Sequence, residues 1–111
     1  MSMELRKSII DFIRLISSSQ KQFEYENNVS IANVSSELIC MWFDDLYHSN
    51  SELFLNSFSA KELEDLSLFN EFYDLRVKDI PSSDGVKGLL ENKSWLEVQS
   101  HANALLNKYT W

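Results

Sequence analysis

This sequence predicts an all-α fold, a compact bundle of four main helices with one or two short ones. Three observations carry that reading. Apolar residues recur every three to four positions over long stretches, the period of an amphipathic helix. Only two glycines and one proline occur among 111 residues, too few for the many tight turns of a β-sandwich or barrel. Hydrophobic residues make up 44% of the chain and aromatics 13%, enough to bury a core without disulfide staples. The length fits one helical domain over residues 1–111 and leaves no room for two.

The first helix is expected from about Ser2 to Gln22. Leu5, Ile9, Phe12 and Ile16 form its stripe, extended to Phe23 and widened by Ile10 and Ile13. A loop follows over Glu24 to Asn28. The second helix runs from about Ser30 to Ser49 on Ile31, Val34, Leu38, Trp42 and Leu46. Residues 48–51 break that pattern, and 51–56 form a short helix or turn. Ser59-Ala-Lys-Glu62 is a capping box, in which hydroxyl and carboxylate each satisfy a backbone N–H at the helix start. It opens a third helix reaching about Val77, with Leu63, Leu66, Phe69, Tyr73 and Val77 inward. Pro81 ends it, because proline disfavours helical geometry in the residue before it. Residues 82–85 are a loop and 86–91 one or two helical turns. Ser94 is the expected cap of a last helix that buries Trp95, Val98, Ala102, Leu105 and Tyr109.

Charge narrows the function classes. The formal net charge is −7, which disfavours nucleic acid and anionic membrane as partners, since both call for Lys and Arg against phosphate. From Glu37 to Asp74 there are nine acids against the single cation Lys61, a net of −8. One segment therefore holds the whole imbalance. Cys40 is the only cysteine, so no intramolecular disulfide forms and a reducing, cytoplasmic setting is expected. The charged start and periodic apolar residues argue against a signal peptide. No run reaches the ~20 apolar residues that span a bilayer.

Chemistry is sparse. Neither a dinucleotide-binding nor a phosphate-binding glycine loop occurs, and no CxxC or HExxH metal motif. Asp44 and His48 are four apart, as are Glu97 and His101. Such pairs share a helix face and can bind metal or relay a proton; an exposed helical hydrogen bond is the preferred reading, because acid–histidine pairs at this spacing are common by accident. Nothing beside Cys40 in sequence makes it a nucleophile, and it lies opposite the main apolar stripe of its helix. The expectation is no enzyme, no cofactor and no metal.

Two strips of the acidic segment carry more information. On the second helix, Asp45 edges the apolar stripe, and Glu37, Met41, Asp44 and His48 fill the adjoining face. Either Asp45 pairs with a cation from another helix and the rest is a solvated surface, or the strip meets a basic partner. On the third helix Glu64, Leu68, Glu71 and Leu75 form a second stripe opposite the core stripe, with Phe72 beside it. Either that helix packs on two sides, or the stripe is an exposed acidic–apolar surface. In a docking surface of that kind, leucines provide desolvation energy and carboxylates steer a cationic partner.

The stretches Met41-Trp-Phe-Asp-Asp-Leu-Tyr, Phe58-Ser-Ala-Lys-Glu-Leu-Glu-Asp-Leu, Phe69-Asn-Glu-Phe-Tyr-Asp and Leu89-Leu-Glu-Asn-Lys-Ser-Trp95, with Ala102 and Leu105, resemble small acidic bacterial immunity proteins. These are the proteins encoded beside bacteriocins and contact-dependent growth inhibition toxins. The similarity spans about residues 40–110 and lies in general character, since such proteins are also short, acidic, helical, aromatic-rich and cysteine-poor. It contains no invariant motif, so no residue is carried over as a contact. The resemblance implies a cytoplasmic antitoxin, a monomer when free, that binds a cognate toxin domain with a basic surface. A nuclease is the expected kind of toxin, its cleft being basic because it holds phosphates. The expected partner-binding residues are the two strips above. The alternative is a small adaptor or secretion chaperone that holds an apolar partner segment on Leu68, Phe72 and Leu75.

Overall fold

A computed structural model of the chain describes residues 3–28, 34–80 and 85–111. Seven α-helices occur among them: α1 (Met3–Ser17), α2 (Ser19–Asn28), α3 (Val34–Cys40), α4 (Glu52–Ser57), α5 (Ala60–Val77), α6 (Val86–Leu89) and α7 (Lys93–Tyr109), with a π-helical turn (Met41–Leu46) continuing α3. The expected start of the first helix at Ser2, the expected start of the second at Ser30 with Ile31, and Pro81 with residues 82–84 of the expected loop lie outside the described residues. α1 and α7 form the most extensive helix pair; α5 packs on α7, α4 on α1, and α2 bridges α1 to α6. The core lies between the apolar stripes of α1, α5 and α7, with Leu38 and Trp42 closing it from α3 and the π turn.

The predicted first helix is divided in two, and the physical reason is the serine run at 17–19. The Ser18 hydroxyl accepts from the Lys21 N–H, so serine caps a new helix where an unbroken one would give that N–H a carbonyl. The expected loop at Glu24 to Asn28 is accordingly the end of α2. The break also changes which side chain turns inward. Phe23 is 40% exposed, and Gln22 is fully buried instead.

Gln22 has work to do there. α1 ends at Ser17, which leaves its last carbonyls without intrahelical donors. The Gln22 amide donates to Leu15 O at 3.1 Å and Ile16 O at 2.9 Å, while its oxygen accepts from the Trp95 indole at 3.2 Å. One side chain thus satisfies the C-terminus of α1 and ties it to α7. Gln22→Leu strands a carbonyl and an indole N–H in the core, an expected loss of about 2–4 kcal/mol, measured by urea unfolding.

The capping box at the start of α5 is present in full: Glu62 N donates to Ser59 Oγ at 3.2 Å, and Ser59 N to Glu62 Oε1 at 2.8 Å. Glu62 does more than cap. Both its oxygens accept from Arg6 of α1 at 2.9 Å, a bidentate pair across 56 residues. Arg6 also lies over the ring of Phe58, 5.1 Å from its centroid. The Arg6 hydrogen bonds hold the Glu62 carboxyl below the usual carboxylate range, against burial that pushes it up. A depressed folded-state value means the stabilisation is complete above the unfolded value, about 4.3, and is lost as pH falls through the lower folded one. The stability gap between wild type and Glu62→Gln is therefore expected to narrow between about pH 5 and 3, read by thermal melts across that range.

The last helix starts two residues earlier than predicted. Asn92, not Ser94, is its N-cap, with Asn92 Oδ1 accepting from Trp95 N at 2.9 Å. Asn92 can cap because the short α6 ends just before it.

Candidate functional site

The nine acids between Glu37 and Asp74 separate into two kinds. Glu62 is bound to Arg6, and Asp65 accepts from Lys108 of α7 at 2.7 Å and from the Tyr109 hydroxyl. Burial and the Asp65 carboxylate push the Tyr109 phenol up to about 12. The other seven (Glu37, Asp44, Asp45, Glu52, Glu64, Glu71 and Asp74) form no ion pair among the described residues. Of these nine acids, the cations of α1 and α7 thus neutralise only the two at helix–helix junctions.

The strip on the second predicted helix does not survive as one face. The π turn is the reason. Tyr47 N donates to Trp42 O at 2.9 Å, five residues back, so the helix widens and stops at Leu46, with Tyr47 extended at φ −91° and ψ 102°. His48 lies beyond the helix, and the i,i+4 relation with Asp44 is not realised. Met41 is half-buried and lines a cleft with Phe12, Leu15, Tyr25 and Leu46. Glu37 is close enough to Tyr25 to help raise its phenol above the ordinary value, after burial. Asp44 and Asp45 are exposed, and the cation expected to pair with Asp45 is not found among the described residues. Cys40 is exposed, as its wheel position predicts.

The strip on α5 is realised. α5 meets the π turn through Asn70, which accepts from the Trp42 indole at 3.0 Å, and meets α3 through Tyr73. It meets α7 through Asp65, Phe69, Phe72 and Arg76. At helical spacing, Glu64, Leu68, Glu71 and Leu75 fall on the remaining side. Leu68 is 51% and Leu75 65% exposed, which rules out a helix packed on both faces. Unpaired carboxylates and uncovered leucines therefore alternate along one helix surface.

Beside this strip runs the seam between α5 and α7, which periodicity does not reveal. His101 packs edge-on against Phe69 and Phe72, with ring centroids 5.6 and 4.6 Å away. Its expected partner Glu97 is instead bound to Arg76 at 3.1 Å. Burial and the Arg76 charge push the His101 imidazole below its usual value, while Asp65 opposes them. Only the acid–histidine spacing on α7 points to this position, and it suggests the wrong partner. Among the described residues no group of three His, Cys, Asp or Glu side chains is placed to hold a metal, and no helix is long and apolar enough to cross a membrane. No protein-family model, curated protein or solved structure matches the chain.

Proposed function

We propose that this chain is an immunity-type protein, which binds and neutralises a cognate toxin domain through the acidic–apolar face of α5. The observation that supports this reading is Glu64 and Glu71, both without an ion pair among the described residues, alternating with Leu68 and Leu75, both more than half exposed. Two exposed leucines on an otherwise charged helix face lose free energy to water unless a partner covers them. Carboxylates beside them draw a basic surface and keep acidic ones away. A nuclease cleft is basic, because it must hold phosphates, and the carboxylates of α5 stand in for those phosphates. The seven unpaired acids strengthen the long-range attraction that speeds encounter. The chain then acts by occupying or covering a site on the toxin and needs no catalytic group of its own.

The reading is tested by mixing the chain with the C-terminal domain of the protein encoded immediately upstream. A complex at micromolar concentration, with loss of that domain's toxic activity, is expected. Absence of any complex at that concentration refutes it.

A further inference from the structure

We infer that the docking surface continues from α5 across its seam with α7, where the partner seats an aliphatic or aromatic side chain over His101 and Ala104 while its flanking lysines or arginines meet Glu64 and Glu71. This rests on the functional reading above and adds to it the chemistry of the partner segment and the α7 residues that select it.

The seam is a pair of adjoining depressions of about 180 and 350 Å³ that share His101 and Ala104. Leu68 borders one, Phe72 the other. Its charges are already matched internally. Lys108 pairs with Asp65 at one end, 2.7 Å, and Arg76 with Glu97 at the other, 3.1 Å. Between the two ion pairs the floor is Phe72, the edge-packed imidazole and Ala104, with no unpaired charge. An incoming apolar side chain therefore strips water from a mostly apolar floor and leaves no charge unpaired.

Helical geometry orders the rest. Going around α5 away from the core, Phe72 comes first, then Leu68 and Leu75, then Glu64 and Glu71. The seam, a ridge of two leucines and an acidic rail thus lie side by side. A segment that places an apolar anchor in the seam crosses the ridge and brings its neighbouring side chains to the rail. Only cations suit that rail, since neither glutamate is ion-paired among the described residues. The same rail argues against a second copy of this chain as the occupant, because two acidic rails brought face to face repel.

The test compares two arginine substitutions on α7, each adding the same charge. Ala104→Arg fills the seam. Asn103→Arg is one residue further round on the exposed side, away from His101. Binding to the upstream-encoded toxin domain is measured by calorimetry, and thermal melts check each variant's fold. Ala104→Arg is expected to weaken binding about a hundredfold and Asn103→Arg less than about threefold, both with melting temperatures near wild type. Leu68→Ala, a milder change at the edge of the seam, is expected to weaken binding about tenfold.

Wild-type affinity in both Ala104→Arg and Leu68→Ala overturns the seam but leaves the α5 reading standing, provided charge reversal of Glu64 and Glu71 still weakens binding. Equal losses in the two arginine variants also overturn it, since they show an effect of charge alone. A wild-type chain that dimerises, and becomes a monomer as Ala104→Arg, assigns the seam to a second copy and overturns the proposal. A wild-type chain that forms no complex overturns the functional reading and the seam with it.

Discussion

Trp42→Ala is expected to cost about 3–5 kcal/mol, a large part of the ~5–15 kcal/mol that holds a domain of this kind together. The reason is how many elements one indole joins. It is fully buried. It stacks on Phe12 of α1 at 5.4 Å and on Tyr47 at 5.2 Å, and meets the edge of Phe69 of α5 at 5.1 Å. Its N–H donates to Asn70. Truncation leaves a cavity between α1, α5 and the π turn, and those helices cannot close it without moving apart elsewhere. It also leaves Asn70 without its donor. Thermal melts are expected to show a drop of about 10–25 °C. Trp42→Phe, which keeps the stacking but removes the hydrogen bond, is expected to lose less than half as much. A small effect in Trp42→Ala contradicts the core described above.

The second large effect is kinetic. The double charge reversal Glu64→Lys, Glu71→Lys is expected to slow association with the toxin domain by about a hundredfold at low salt, and by much less near about 0.5 M salt. Both side chains are exposed and outside the ion pairs of the fold, so the melting temperature is expected to stay near that of wild type. Stopped-flow mixing across an ionic-strength series reads the two regimes directly. The same double reversal at Glu52 and Asp44, which are also exposed but off α5, is the control. It changes net charge by the same amount and is expected to slow association several-fold less. Equal slowing by both pairs would mean that net charge, not the α5 face, governs encounter.

Much of this surface was legible in the residues, and the reasons are physical. The Ser59–Glu62 capping box uses local contacts only, so its four residues specify it without help from the rest of the chain. The outward position of Leu68 and Leu75 follows from helical period alone, because α5 is regular from end to end. Where the backbone departs from the α-helix, periodicity misleads. The serine run at 17–19 ends α1 early and puts Gln22 where the stripe placed Phe23. The π turn dissolves the Asp44–His48 pair and turns Met41 towards the cleft beside α1 and α2. Neither departure leaves a trace in the apolar spacing.

Long-range pairings were not legible at all. Arg6 and Glu62 are 56 residues apart, and Lys108 and Asp65 sit on different helices. Which acids are neutralised within the fold depends on helix packing. The sequence shows a segment of net −8; the packing separates it into two carboxylates that hold helices together and seven outside the ion pairs among the described residues, six of them exposed. That division makes the α5 strip stand out from the rest.

The most direct measurement is a titration of the 13C-methyl-labelled chain with the upstream-encoded toxin domain, following its leucine methyl resonances. The chain exposes Leu53 and Leu55 on α4, by 50% and 45%, as well as Leu68 and Leu75 on α5. The two pairs compete as docking sites within one experiment. Leu68 and Leu75 are expected to shift or broaden as complex forms, with Leu53 and Leu55 unchanged. Shifts confined to Leu53 and Leu55, with Leu68 and Leu75 unmoved at saturation, would contradict it.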